Sequence, residues 1–333
     1  MQTIPKRRLG RTGLDVSLLT FGCGAVGGLM TKGDPADQLA AVKRALALGV
    51  NFFDTAPLYG DGASERNVGR ILRELKPDIV LGTKVNIPPE GKSNVAAAIA
   101  RSIDESLQRL GRDHVDLLQL HNSISTGSKP RDLHPDVVLG EVAPAFERLK
   151  QAGKIRFAGI TAIGDTAALH QVVDAKAFDT AQVVYNLLAP AAGRSVPAGY
   201  PAQDYGRLLE RAQAAGMGTI VIRVLAGGAL SGTEARHPLG MAVVAPIGSG
   251  DDYAADVKRA RQLDAALAGA GAADTVELAI RYVASHPAVS TLQVGIATPA
   301  EFEGAAAAIL KGPLPGQALA SIAALQDGFA RSA

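Results

Sequence analysis

The sequence predicts an α/β fold: a closed (β/α)8 TIM barrel with an N-terminal β-hairpin and extra loops and helices at the C-terminal end of the barrel. Three observations predict it. Eight short runs rich in β-branched and apolar residues recur along the chain, and segments with amphipathic helical spacing lie between them. Strand then helix, repeated, implies parallel strands joined by crossover helices. No G-x-G-x-x-G follows an early strand, so the fingerprint of the open doubly wound sheet is missing, and that sheet usually stops at about five or six strands.

"RRLGRTGLDVSLL" holds two short extended pieces around "RTG", which predicts a hairpin that caps one end of the barrel. The strand runs are "SLLTFGC", "VNFFD", "DIVLGTK", "VDLLQLH", "IRFAGIT", "TAQVVYN", "GTIVIRV" and "STLQVGI". Helical spacing covers 35–49, 64–75, 94–111, 137–153, 166–176, 202–216, 275–287 and 299–310. Glycines at 49, 111, 153 and 216 stand where a left-handed C-cap is required. "FGCGAVGG", 21–28, leads into the polar "MTKGDP" and reads as a strand-to-helix loop; as a phosphate cradle it is a weak signal. The Ala-rich stretch 265–273 reads as a helix end, a turn and a new start, and the last 20 residues carry one more amphipathic helix. Long loops at 122–134, 187–201 and 226–252 each follow a strand, on the side of a barrel where active sites are built. No composition break marks a domain boundary, so 1–333 reads as a single domain.

Composition narrows the function. With 47% apolar residues the 333-residue chain can bury a large core. Its 34 basic and 32 acidic residues nearly cancel and are interspersed, which argues against nucleic acid or an anionic membrane as partners. "MQTIPKRRLG" has no apolar stretch behind it, and no run approaches the roughly 18 apolar residues of a spanning helix, so the expectation is a soluble, cytoplasmic protein. A single cysteine, Cys23, excludes an internal disulfide and a multi-cysteine metal site. As a nucleophile it has no partner tied to it by sequence; a small residue at a strand end is the better reading.

Polar residues at the strand ends carry the chemistry. Asp54 ends the second run, Lys84 the third and His121 the fourth, with Tyr59 in the loop beyond Asp54. Singly, a strand-end Asp is more often a helix cap, and a lone His or Lys is usually solvated. Together at adjacent strands they form a coherent set. An ammonium near a phenol favours the phenolate, so Lys84 is expected to lower the Tyr59 pKa, with Asp54 keeping Lys84 charged and aimed. His121 is placed to donate a hydrogen bond to, or orient, a carbonyl oxygen. The set describes protonation of an oxyanion without a metal, and it implies a separate hydride-carrying cofactor.

"FFDTAPLYG", "LGTKV", "SLQRLGRDHVDLLQLH", "LKQAGKIRFAGIT", "QVVYN" and "GGALSG" resemble the aldo-keto reductase superfamily, from about residue 7 to residue 310. The resemblance implies a (β/α)8 barrel, an extended NAD(P)H across the barrel mouth, and a tetrad of Asp54, Tyr59, Lys84 and His121. Tyr59 is then the general acid in carbonyl reduction and the base in alcohol oxidation. Cofactor contacts implied by the same resemblance fall on Gly24, Thr161, Gln182, Arg223, Leu225, Gly227, Gly295, Thr298 and Glu301. Gln182 matches the family's glutamine for the nicotinamide carboxamide. The family's Ser-Asn is here Thr161-Ala162, and its aromatic-Ser-Pro-Leu is Ile222-Arg223-Val224-Leu225. Arg223 therefore either faces a bound acidic group or pairs with a neighbouring carboxylate.

In NADP-specific relatives the segment after the last strand supplies cationic and amide groups, where this chain has Ala297, Thr298, Glu301 and Ala305. A 2′-phosphate wants cationic donors, and a carboxylate near the ribose favours a free hydroxyl. The family's habit favours NADP(H), while Ala297, Glu301 and Ala305 favour NAD(H). A small-molecule carbonyl or alcohol is the implied substrate; with no Trp in the chain, the pocket walls must come from the loops at 24–33, 122–134, 187–201 and 226–252. Two rival readings remain open: a cofactor-binding regulatory subunit with little turnover, and a Schiff-base aldolase using Lys84.

Overall fold

The computed structural model describes residues 2–127, 129–248 and 252–330. Strands β1 (Lys6–Arg8) and β2 (Asp15–Ser17) pair antiparallel as the expected hairpin. The next eight are β3 (Leu19–Gly22), β4 (Phe52–Asp54), β5 (Val80–Val85), β6 (Val115–Leu120), β7 (Ile155–Ala162), β8 (Thr180–Val184), β9 (Gly218–Ile222) and β10 (Thr291–Gly295). Every neighbouring pair is parallel, and β10 bonds to both β9 and β3, which closes the barrel. The alternation of side chains along a strand sorts the apolar residues into two sets. Residues such as Phe21, Phe53, Leu118 and Leu120 face outward into the layer beneath the helices. Phe52, Val80, Leu117 and Ile220 face inward near the strand starts.

The hairpin seals that inner set. Leu9 and Val16 join it, so one end of the barrel is closed by a small apolar plug. Gly10 makes the seal possible: its φ is +49°, and a Cβ there would stand 2.1 Å from the Gly218 nitrogen, so no other residue fits.

Helices Pro35–Ala47, Ala63–Leu75, Val95–Leu110, Thr166–Asp174, Thr275–Ser285 and Pro299–Leu310 lie where the periodicity places them, and Gly316–Phe329 is the C-terminal helix. Gly49, Gly111, Gly153 and Gly216 all have positive φ, as left-handed caps need. Three expectations are corrected. The helix expected from 202 starts only at Leu208, because Gly206 and Arg207 both have left-handed backbone and Gly206 donates its N–H to the Asp204 side chain at 2.8 Å. The segment 137–153 is not one uniform helix: Val138–Val142 forms a π turn ahead of Ala143–Gln151, and the widened turn accommodates Pro144, which has no N–H to donate. The expected strand-to-helix loop, 24–33, contains a helical turn, Leu29–Lys32, whose Leu29 N–H is anchored to the Ile296 carbonyl at 3.1 Å.

Among the described residues no helix is long and apolar enough to cross a membrane, and no group of three or more His, Cys, Asp or Glu could hold a metal ion.

Candidate active site

Strand register brings the polar side chains to the opposite end from the plug. Asp54 is the last residue of β4, and on the next two strands Lys84 and Gln119 are register partners. Lys84 Nζ lies 2.5 Å from Asp54 Oδ2 and donates to the Thr55 carbonyl at 2.9 Å. Each of these charged side chains is 1% exposed, so neither has water to replace its partner. Asp54 Oδ1 accepts two further bonds, from Gln119 Nε2 at 3.2 Å and Gln182 Nε2 at 3.1 Å. Gln182 in turn accepts the Thr161 hydroxyl at 3.1 Å.

Tyr59 is set over this cluster by its loop. Its N–H donates to the Ala56 carbonyl at 3.1 Å, and Gly62 donates to Pro57 at 2.7 Å. Ser64, opening the following helix, bonds both the Thr55 hydroxyl at 2.8 Å and the Cys23 carbonyl at 2.9 Å. The loops after β3 and β4 are thereby tied together. Lys84 Nζ stands 4.6 Å from the Tyr59 ring centroid, and a Cβ on Gly24 would be 3.8 Å from the same ring. His121, just past β6, meets Tyr59 edge to face with centroids 5.9 Å apart. Its Nδ1 is buried and has no hydrogen-bond partner.

The protonation states follow from burial and charge. Burial pushes the Tyr59 phenol up, and the Lys84 ammonium opposes this without overcoming it. Lys84 thus lowers the Tyr59 pKa as expected, but burial, which the sequence does not reveal, outweighs it and leaves the phenol above its ordinary value. Burial alone would lower Lys84, but Asp54 and Tyr59 outweigh it and hold the ammonium charged. His121 is driven from 6.5 down to about 3 by burial first, then by the charges of Lys84 and Arg223. At neutral pH the site therefore holds a protonated phenol, an ammonium and a neutral imidazole. Cys23 lies deep beside them, and burial pushes its thiol up, which leaves it without thiolate character.

Arg223, exposed just beyond β9, has φ +58° and its carbonyl is held by the Asn186 amide at 2.9 Å. Among the described residues no carboxylate pairs with it, so its charge at the barrel mouth is uncompensated. Leu225 is half-buried at the start of the next loop, and Gly227 sits under that loop, where a Cβ would meet Val244 at 2.6 Å. Gly295 is the last residue of β10, and Thr298 caps the helix Pro299–Leu310 by accepting the Glu301 N–H at 3.2 Å. The Glu301 carboxylate in turn accepts the N–H of Ala297, the residue before the cap, at 2.6 Å. A carboxylate therefore already occupies that helix start. Ala297 and Ala305 are buried.

A model of the aldo/keto reductase family matches residues 18–327. The chain belongs to the aldo/keto reductase family. The solved structure of an aldo-keto reductase from Bacillus halodurans, in its holo form, superposes with a TM-score of 0.72 at 26% identity, covering 97% of this reductase-family chain and 96% of the other. Among curated relatives, L-galactose dehydrogenase of Arabidopsis thaliana is 41% identical over 49% of this chain and 50% of its own length. D-threo-aldose 1-dehydrogenase of a Pseudomonas is 29% identical over 56% and 63%. A putative voltage-gated potassium channel subunit beta of Schizosaccharomyces pombe is 30% identical over 69% and 64%. The chain spans about half the length of the first curated relatives it matches.

Within this aldo/keto reductase fold, sequence reasoning missed Gln119. The signal was present: in "VDLLQLH" Leu117, Gln119 and His121 share one strand face, and an amide alone on an inward face between an apolar residue and a histidine needs a partner.

Proposed function

We propose that this protein is an NAD(P)H-dependent oxidoreductase that interconverts an aldehyde or ketone, with sugars and small aldehydes as the substrate class, and the corresponding alcohol. The observation that carries the reading is the buried Lys84–Asp54 pair at 2.5 Å, with Nζ 4.6 Å from the Tyr59 ring. The names of the sugar-acting relatives support the substrate class.

The residues fit a dinucleotide. Arg223 offers an uncompensated cation at the barrel mouth, Gly24 keeps the space beside Tyr59 clear of a side chain, and Thr161 and Gln182 offer a hydroxyl and an amide. When bound, the cofactor supplies or takes up the hydride. Tyr59 does the proton work: as a neutral phenol it donates to the carbonyl oxygen in reduction and recovers that proton from the alcohol in oxidation. Lys84 stabilises the phenolate left behind, and Asp54 keeps Lys84 charged. His121, neutral down to about pH 3, serves as a hydrogen-bond partner for the carbonyl oxygen and does not supply its proton.

Both nicotinamide cofactors belong to the proposal, NADP(H) on the family's habit and NAD(H) on Ala297, Glu301 and Ala305. The Glu301 carboxylate at the helix start opposes a second anion there. Comparing kcat/KM for the two reduced cofactors tests this: a preference for NADPH above roughly a hundredfold, about 2.7 kcal/mol, would remove Glu301 from the account.

A second reading, a cofactor-binding subunit with little turnover, is favoured by the similarity to the channel beta subunit. A Schiff-base aldolase is disfavoured, since Lys84 is held charged and hydrogen-bonded, whereas a nucleophilic lysine needs a lowered pKa. Loss of NAD(P)H absorbance with an aldehyde and sugar panel separates the readings. Turnover by the wild type that Tyr59→Phe abolishes supports the reductase; tight cofactor binding without turnover supports the subunit.

A further inference from the structure

We propose that Gln119 is a positioning residue, whose side-chain amide holds the Asp54 carboxylate in place against Lys84 and thereby sets the proton affinity of Tyr59. This deepens the oxidoreductase reading and rests on it. Six observations converge. Gln119 is fully buried on the inward face of β6, register partner of Lys84, and its Nε2 reaches Asp54 Oδ1 at 3.2 Å. Gln182 reaches the same oxygen from β8 at 3.1 Å, so the two amides hold one carboxylate oxygen while Lys84 holds the other. Room for Gln119 is built into the neighbouring strand: Gly159 is its partner on β7, and a Cβ there would crowd Gln119 Cγ at 3.1 Å and Thr180 Oγ1 at 2.2 Å. Gln119 Oε1 has no hydrogen-bond partner, so the donor end accounts for the side chain's polar contacts within the protein.

The mechanism runs through the Lys84 charge. The Asp54 carboxylate keeps Lys84 charged beside Tyr59, and donors on the carboxylate favour that ion pair. Take one donor away and Asp54 supports the ammonium less well, the Lys84 charge beside Tyr59 weakens, and the phenol ionises less readily. The charged and titratable groups facing this cluster are Lys84 from β5, Tyr59 from the β4 loop, Cys23 from beyond β3, His121 from beyond β6 and Arg223 from beyond β9.

Gln119→Met keeps the length and removes the donor. Two readouts follow: the pH profile of kcat with a turned-over aldehyde or alcohol, and tyrosinate difference absorbance of each protein against its Tyr59→Phe counterpart. The expected result is a Tyr59 pKa raised by about half a unit or more, a severalfold fall in kcat at neutral pH and an unchanged KM. In an Asp54→Asn background the same substitution should move nothing further, since it acts through Asp54. Gln119→Glu is the second variant should the first fail to fold. It donates while protonated and repels Asp54 once ionised, so it should match the wild type at acid pH and shift upward at alkaline pH. An unmoved Tyr59 pKa in either folded variant, or an equal shift without Asp54, overturns the proposal. Wild-type turnover with unmoved variants defeats this inference alone, whereas a wild type that turns nothing over defeats the oxidoreductase reading and the inference with it.

Discussion

The two ends of the barrel interior are built from the same strands to opposite purposes. On β4, Phe52 faces the plug and Asp54 faces the mouth; on β5 the pair is Val80 and Lys84, and on β6 it is Leu117 and then Gln119. A step of two or four residues along one strand face separates an apolar floor from a charged cluster. The floor needs only volume and exclusion of water. The mouth needs each polar atom matched, because an unpaired buried charge costs several kcal/mol. The difference teaches that the floor contributes stability, while the mouth consumes some of it to hold a protonated phenol beside an ammonium.

Substitutions at the two ends should therefore separate activity from stability. Tyr59→Phe, at the mouth, is expected to lower kcat by about 10²–10⁴-fold, the usual worth of a general acid or base, with cofactor affinity and melting temperature close to wild type. Steady-state kinetics and a cofactor titration check it. Phe52→Ala, at the floor, should do the reverse: a loss of about 3–5 kcal/mol in denaturant unfolding, with kcat per folded molecule unchanged. If Phe52→Ala altered kcat at full folding, the division between the ends would fail.

A smaller effect sharpens the mouth's side of the comparison. The unfolded chain takes up a proton at His121 near 6.5, the folded protein only near 3. Protons therefore favour the unfolded state, and this contribution to stability is whole above about 6.5 and lost as the pH falls toward 3, at up to about 1.4 kcal/mol per unit. His121→Asn should flatten the acid side of the stability curve between pH 7 and pH 5, measured by urea midpoint. An unaltered slope would place His121 in contact with water.

Local rules carried most of the fold. The eight strands, the hairpin and the glycine caps were legible because each rests on a short pattern, such as "VNFFD" or the Gly at 111 after its helix. What could not be read depended on tertiary surroundings: the turn Leu29–Lys32 is anchored by Ile296, almost 270 residues away in sequence, and the late start of helix Leu208–Ala214 depends on a left-handed Arg207. At the site, residue types and strand ends revealed Asp54, Tyr59, Lys84 and His121 as candidates, and register then placed them together. The direction of the Tyr59 pKa was not legible, because pairing with Lys84 is visible in a sequence and the extent of burial is not. Gln119 was legible in principle from strand alternation, but its target, Asp54, lies on a strand two positions away in the barrel.

The central claim is that Asp54 acts on Tyr59 through Lys84. Two opposite signs make it testable. Asp54 itself raises the Tyr59 pKa by direct repulsion, yet it also keeps the Lys84 charge that lowers it. The measurement is the Tyr59 pKa in wild type and in Asp54→Asn, each read from tyrosinate difference absorbance against the matching Tyr59→Phe protein. An upward shift in Asp54→Asn is predicted, because a buried Lys84 without its carboxylate gives up its proton. A downward shift, or none, would show that Lys84 holds its charge unaided and would contradict the account.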